Sequence, residues 1–472
     1  MHKSLSICPR SLPWTVLFLC LLVPEAIHSQ ATDPVDSSAR RTLREAVEHA
    51  LATHPVVQAE RYKVQRAELD AKEVKNKKLP SIDLDFKTGL IPEAKGDIFD
   101  SPDSNEDLDN LGVFWRFDLR IVQPIATFGK ISSARAAAEH GVLAREFGRD
   151  FATARLGFEV VRAFWGFESA NRGAILAEDL QTDYERLLDE VETAANDPDS
   201  DVDDTRRFEV QSFEFQITDA TRQTVKNQEI ANASLEVLLG WGELNPDSFA
   251  PVRTPGLPDE DMLDQLIAIT MASSPRIQQA RSGLGVLESK VAFAEASRWP
   301  DIFLALSGVY ARAPNRTDIK SPFILDPFNL RTIGGFLGLR WNLKFADHRL
   351  AISQSSVERQ EAIEQLSVLE DRLIIEVTRA YAEAKALSDL LGAAKRSKKA
   401  AKRWLRLSGD NWDLGLGSVD RLVDAYGQYY ELGAIVIEQE AQYQLALARL
   451  ALTLGRIELY LDWIEHETVE IS

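Results

Sequence analysis

The stretch His54-Pro55 through Lys78-Leu79-Pro80 into Ser81-Ile82-Asp83-Leu84-Asp85-Phe86 recurs as Ser274-Pro275 through Arg298-Trp299-Pro300 into Asp301-Ile302-Phe303-Leu304-Ala305-Leu306. In both versions two prolines stand 25 positions apart, the segment between them reads as helix, and the residues after the second proline alternate like a strand. The copies are offset by 220 residues, so the chain reads as two tandem repeats of one unit. Proline sets the junction, because it has no N–H to continue a helical ladder and pushes the residue before it, Leu79 or Trp299, toward extended geometry. A helix is predicted to pass directly into a strand, twice.

Beyond each junction the period is two. Ile82, Leu84 and Phe86 oppose Asp83, Asp85 and Lys87, and a second run sets Trp115, Phe117, Leu119 and Ile121 against Arg116, Asp118 and Arg120. This predicts a β-hairpin over 81–123 with a polar loop from Thr88 to Gly112. The second copy predicts another over 301–343, with Ile302, Leu304, Leu306 and Tyr310 on one face, Ile333, Leu337, Leu339 and Trp341 on one face, and a loop from Arg312 to Arg331. Alternating strands with long loops at one end mark a transmembrane β-barrel, and aromatics stand at girdle positions: Trp299 and Trp341 at one end, Trp115 and Tyr310 at the other. A water-soluble hairpin covering a core has the same alternation. Counting strands separates the two, since four strands cannot close a barrel that needs at least ~8, and an open edge is not tolerated in lipid. Several chains must share one barrel, and a trimer with twelve strands is the most economical solution. The charges of Asp83, Asp85, Arg116, Asp118 and Arg120 would then line the lumen, with Ile82, Leu84, Phe117 and Leu119 toward lipid.

After each hairpin the period becomes helical and stays so, over 126–195 and 347–411. Phe147, Phe151, Ala154, Phe158, Val161 and Trp165 mark the first, and Leu373, Val377, Ala380, Ala384, Leu387, Leu391 and Ala394 the second. At 1.5 Å per residue each is on the order of 100 Å long, too long for a compact globular domain. Helices over Thr42–Lys78, 205–240, 262–298 and 418–455 are about half that length and would stack in pairs against the long ones. In the last of these a heptad runs through Leu422, Tyr426, Tyr429, Gly433, Val436, Glu440, Tyr443, Leu447, Leu450 and Leu454, broken at Gly433 and Glu440. The expected fold is therefore mainly α with a transmembrane β portion, in two repeats over 31–240 and 262–455. A linker over 241–261 carries Pro246, Pro251, Pro255 and Pro258, and the tail 456–472 reads either as a short packed helix or as a frayed end.

Residues 1–30 read as a secretory signal: Lys3 and Arg10 precede an apolar run from Trp14 to Val23, and small residues stand at Ser29 and Ala31. The bulky Leu17-Phe18-Leu19 before Cys20 does not suit lipidation. Cys8 and Cys20 are the only cysteines, so a chain cut after residue 30 has no disulfide and no thiolate metal site. The formal charge of −19 argues against nucleic acid as a partner. There is no Gly-rich phosphate loop, no His-Glu-x-x-His and no nucleophile elbow among the 472 residues, so neither enzymatic activity nor a cofactor is expected. Asp197, Asp199, Asp201 and Asp203 alternate like the opening of an EF-hand, but the sixth position lacks glycine and Phe208 stands where the closing glutamate belongs, so an acidic solvated turn is expected and no metal.

Taken in order and twice over, the fragments Thr42-Leu43-Arg44-Glu45-Ala46, Leu79-Pro80-Ser81, Gln123-Pro124-Ile125, Phe128-Gly129, Gly417-Ser418 and Ala448-Arg449-Leu450-Ala451-Leu452-Thr453-Leu454-Gly455 resemble the TolC-like outer-membrane efflux proteins. Ala233 to Gly240 mirrors the last of them. The resemblance implies a homotrimer with a twelve-stranded barrel in outer-membrane lipid and a helical barrel in the periplasm. It implies a passive conduit for drugs, metabolites or metal ions, working with a periplasmic adaptor (membrane fusion protein) and an inner-membrane transporter. Protein secretion of the type I kind and a channel-free periplasmic coiled-coil tether are the alternatives. It further implies an acidic ring at the periplasmic entrance, matched here by Asp424 with Asp420 one turn earlier. Aligning the copies puts Glu209 opposite Asp424 and Arg206 opposite Arg421, the arginines balancing the ring. Asp203, Asp204, Gly417 and Ser418 fall at the adaptor-facing tips. The second copy departs from the pattern in Trp341-Asn342-Leu343 and in Phe345-Ala346-Asp347, which lacks the glycine of Phe128-Gly129.

Overall fold

A computed structural model describes residues 40–96, 107–196, 204–258, 260–319, 323–414 and 416–466, and all of these but Arg40 belong to the compact unit Arg41–Ser472. The signal-like stretch 1–30 and most of the acidic turn, Asp197 to Asp203, lie outside the described residues.

The first helical segment is two helices, not the single one expected over Thr42–Lys78. α1 (Leu43–Thr53) and α2 (Pro55–Asn76) meet at His54, whose φ of −66° and ψ of 134° are those of a residue held extended by the proline after it. A reciprocal cap starts α1: the Glu45 N–H donates to Thr42 Oγ1 at 3.1 Å, and the Thr42 N–H donates to Glu45 Oε2 at 2.8 Å. The second copy breaks in the same way at Ser274, between α6 (Leu263–Ser273) and α7 (Pro275–Ala296).

The strands run longer than the alternation alone shows. β1 (Ser81–Glu93) and β2 (Asp107–Ala126) pair through Thr88↔Trp115 and Ile91↔Gly112, so much of the stretch read as loop, Thr88 to Gly112, is ladder. With β3 (Asp301–Arg312) and β4 (Arg331–Arg340) they form one antiparallel sheet in the order β1-β2-β3-β4. β2 ends in a register shift between Pro124 and Ala126, where proline has no N–H to give the ladder.

The long helices begin later than residue 126 in one copy and earlier than 347 in the other: α3 is Lys130–Ala195, 66 residues, and α8 is Phe345–Asp413, 69 residues. Each is about 100 Å long. The turn into α3 needs positive φ at both Phe128 (46°) and Gly129 (102°). The turn into α8 passes through Lys344 at φ −85°, so the second copy has no use for that glycine. The helix over 205–240 is α4 (Asp204–Ser212) and α5 (Glu214–Leu239), interrupted at Phe213, and the last repeat helix is α9 (Val419–Thr453). Next to the sheet the helices pack in the order α2-α3-α7-α8, the order of the strands they join; farther away the order is α5-α3-α9-α8.

The tail is a packed helix, α10 (Ile457–Glu465). It closes the main core, where Phe164, Phe167, Leu447, Leu450, Tyr460 and Trp463 are each under 2% exposed. Trp165 Nε1 donates to Tyr460 Oη at 2.6 Å, and Arg44 on α1 pairs with Asp462 and Glu465 at 2.7 Å each.

α5 and α9 end on glycines in the left-handed region, Gly240 at φ 64° and Gly455 at φ 79°. A Cβ at Gly240 would meet nothing within 4 Å, whereas one at Gly455 would stand 2.3 Å from Pro275 Cδ. Gly240→Ala should therefore cost about 1 kcal/mol, the backbone penalty alone, and Gly455→Ala measurably more. Chemical denaturation of the detergent-solubilised protein checks the order, and equal midpoints would mean that the α9–α7 contact gives way freely.

Candidate functional site

The strand register sorts side chains onto two faces. Ile82↔Ile121↔Leu306↔Gly335 and Leu84↔Leu119↔Gly308↔Ile333 run across all four strands as an apolar band. From Ile302 to Tyr310 it spans about 26 Å at ~3.3 Å per residue, close to the height of a barrel's lipid-facing band. On the other face Asp83 lies opposite Arg120, Asp85 opposite Asp118, and Lys87 opposite Arg116. Two carboxylates facing each other would repel, and the ion pair of Arg116 with Asp118 at 2.7 Å relieves this. On β3 and β4 that face carries mostly small or apolar residues, among them Ser307, Ala311 and Gly334, with charge at the helix end, where Asp301 lies opposite Arg340. Tyr310 and Trp115 sit toward the loop end, with Arg331 over the Tyr310 ring at 5.5 Å; at the helix end Trp341 Nε1 donates to the Arg298 carbonyl at 3.0 Å and Trp299 lies 6.4 Å from Phe128.

At the far end of the wall a second hydrophobic cluster joins α3, α4, α5 and α9 through Leu187, Val210, Ile217, Val419 and Leu422, with Leu405 and Trp412 of α8 packed against it. Above it opens a cavity of about 700 Å³. Asp424 is exposed and lines this cavity, Arg421 is exposed, and Asp420 is half-buried in the first turn of α9. Glu209 is exposed on α4 but is absent from the lining, where its neighbour Val210 stands instead, one helical step around. The Arg206 side chain and Asp203 lie outside the described residues. Asp204 starts α4 and pairs with Arg207 at 3.0 Å. Ser418 caps α9 in extended geometry, and Gly417 approaches the chain so closely that a Cβ would stand 3.0 Å from Trp412 N. Tyr430 Oη donates to Asp183 Oδ2 at 2.6 Å across α9 and α3. Burial, and then that carboxylate, push the Tyr430 phenol far up, so it stays a neutral donor.

The two breaks in the heptad have structural reasons that the sequence hides. At Gly433 an added Cβ would come within 3.0 Å of Leu176 Cδ2, so glycine admits a leucine from α3. Glu440 accepts from Arg172 on α3 at 2.6 Å, from Lys395 on α8 at 3.1 Å and from Thr254 of the linker at 2.8 Å. Burial pushes the Glu440 carboxyl up, but the donors Arg172, Thr254 and Lys395 outweigh it and hold it below the usual value. The linker is a strap. Tyr443 and Tyr381 donate their hydroxyls to the Pro255 and Pro258 carbonyls at 3.1 and 2.8 Å, and Gln444 Nε2 donates to the Arg253 carbonyl at 3.2 Å. The heptad break was the one visible signal of this hub. No group of His, Cys, Asp and Glu among the described residues could hold a metal ion.

Residues 266–456 match the model of the outer membrane efflux protein family. Among solved structures, CusC aligns over 89% of this chain and 93% of its own with a TM-score of 0.70 at 17% identity. The open-state MtrE outer membrane channel of Neisseria gonorrhoeae aligns over 88% and 89% with 0.71 at 17%, and VceC of Vibrio cholerae over 88% and 96% with 0.65 at 15%. No curated protein matches by sequence. The fold is that of these outer-membrane channel structures. Residues 266–456 thus carry an outer membrane efflux protein domain, and the chain as a whole resembles the TolC-like outer-membrane efflux proteins in fold.

Glu440→Ala should destabilise the protein by about 2 kcal/mol at pH 7, the low end for a lost hub of charged hydrogen bonds because Arg172 and Lys395 can rehydrate. The folded carboxyl titrates below its ordinary value, so this contribution is complete above the ordinary carboxylate range and disappears as pH falls through the folded value. Thermal unfolding of wild type and variant across pH 3 to 7 checks the convergence, and tryptic cleavage at Arg253 should quicken in the variant.

Proposed function

We propose that this protein is the outer-membrane conduit of a tripartite export system, a passive homotrimer that carries small molecules from the periplasm to the exterior. An inner-membrane transporter supplies the energy and a periplasmic adaptor joins the two. The observation that carries this reading is that sheet and helical wall are both left open on the same two sides. On the β1 side, α2 and α5 expose Tyr62, Leu69, Phe215, Ile230 and Val237; on the β4 side, α8 exposes Leu350, Val357, Ile375 and Leu390. Apolar residues recurring at near-heptad steps on a helix edge want a partner helix, and an unpaired strand edge wants a partner strand. Three copies joined edge to edge satisfy both, with twelve strands in lipid and a helical barrel below. Residues 1–30 act as the export signal.

In this arrangement Asp83, Asp85, Arg116, Asp118 and Arg120 line the lumen. Asp424 with Asp420 and Glu209 forms the entrance ring, Arg421 and Arg206 balance it, and the tips at Asp203, Asp204, Gly417 and Ser418 meet the adaptor. Three copies of each ring carboxylate near one axis concentrate negative charge and favour cations.

Asp424→Ala with Glu209→Ala should lower cation selectivity of channels reconstituted in planar bilayers while leaving the trimer intact. Unchanged reversal potentials in a salt gradient would put the ring elsewhere. On the strands, a lipid-soluble quencher should reach a probe on a cysteine at Leu84 and not one at Asp85; the reverse would invert the two faces.

A further inference from the structure

The cavity between α3, α5 and α9 shares Asp424 with the proposed entrance ring, but the rest of its chemistry is left unused by the conduit reading. Its volume of about 700 Å³ lies within the range of small-molecule sites. The wall is aromatic and aliphatic, with Tyr184, Trp404, Tyr426 and Tyr430 among Leu176 and Leu180. Every charged side chain on the lining is a carboxylate: Asp183, Asp424 and Glu431. Two bases stand close behind: Arg186, which pairs with Asp183 at 2.9 Å and so offsets one of the three charges, and Lys398, whose Nζ lies 5.8 Å from the Tyr429 ring. Burial pushes the phenols of Tyr184, Tyr426 and Tyr430 up, so none of them competes as an anion.

The geometry points to a binding site for amphipathic organic cations: the apolar wall takes the hydrocarbon body, aromatic faces and the Asp424 and Glu431 carboxylates take the charge. Ring faces attract cations and repel anions, and a carboxylate pair at the rim of a low-dielectric cavity strengthens the same preference. An anion of equal shape would gain the hydrophobic contact and lose on both electrostatic counts. The site rests on the export reading for its meaning, since it names the cargo class, but binding to the purified protein is measurable whether or not the channel conducts.

Gly427 lines the cavity, and a Cβ there would meet nothing within 4 Å. Gly427→Trp can therefore place a ring in the cavity without displacing backbone, and loss of a helix-interior glycine does not weaken α9. Glu431→Gln removes one charge outside the proposed entrance ring. With detergent-solubilised full-length protein, equilibrium dialysis of tetraphenylphosphonium and of its isosteric anion tetraphenylborate should show at least tenfold preference for the cation. Gly427→Trp should weaken binding of the cation tenfold or more, and Glu431→Gln about threefold with no change for the anion. Equal binding of the two ions, or cation binding undiminished in a folded Gly427→Trp protein, overturns the site. Normal binding by a protein that forms no conducting trimer would leave the site standing and sink the conduit instead.

Discussion

Each strand is joined to its helix by only a few residues, and the strands β1-β2-β3-β4 stand in the same order as the helices α2-α3-α7-α8. This continuity is the constraint on which the rest of the structure depends. Strands in a ladder are about 4.8 Å apart, while packed helices are 8–10 Å apart. Two such lattices joined residue by residue cannot both be straight and flat. The short joints have to absorb the mismatch, and they carry the unusual local features: the register shift at Pro124–Ala126, the positive φ values of Phe128 and Gly129, and the ion pair of Lys130 with Asp301 at 2.8 Å.

Much of this was legible in the residues. The repeat, the change of period from 3.6 to 2 and back, and the length of the proline-free helical runs depend on local sequence, and local sequence is where periodicity is written. The band through Ile82, Leu84, Leu119 and Ile121 could be read because a strand's faces alternate strictly. What failed was extent. Thr88 to Gly112 is polar and carries turn-forming residues, yet β1 continues into it as far as Glu93 and β2 from Asp107, because a ladder can run on into water where its side chains need not be apolar. The breaks at His54 and Ser274 could have been read from the prolines directly after them.

The strap was not legible for a different reason. Its holding groups are backbone carbonyls of Arg253, Pro255 and Pro258, and any residue supplies a carbonyl. The residues that select them, Tyr381, Tyr443 and Gln444, look like ordinary core positions of a coiled coil. Glu440 did break the pattern, but its three partners come from α3, α8 and the linker, at sequence distances no periodicity spans. The candidate cavity is similar: Asp183 and Tyr430 meet only because α3 and α9 pack side by side.

The pairing of Arg44 with Asp462 and Glu465 joins residues more than 400 positions apart. A ribosome makes α1 long before α10, so the main core lacks its final wall until α10 has been synthesised. Contacts of such separation form late and slowly, and until then the apolar surface that Tyr460 and Trp463 will cover stays open to wrong partners. The last helix therefore acts as a completion mark: a chain cut short before Ile457 would carry an unfilled core and be left to chaperones and proteases, while one that has closed on α10 has its core sealed.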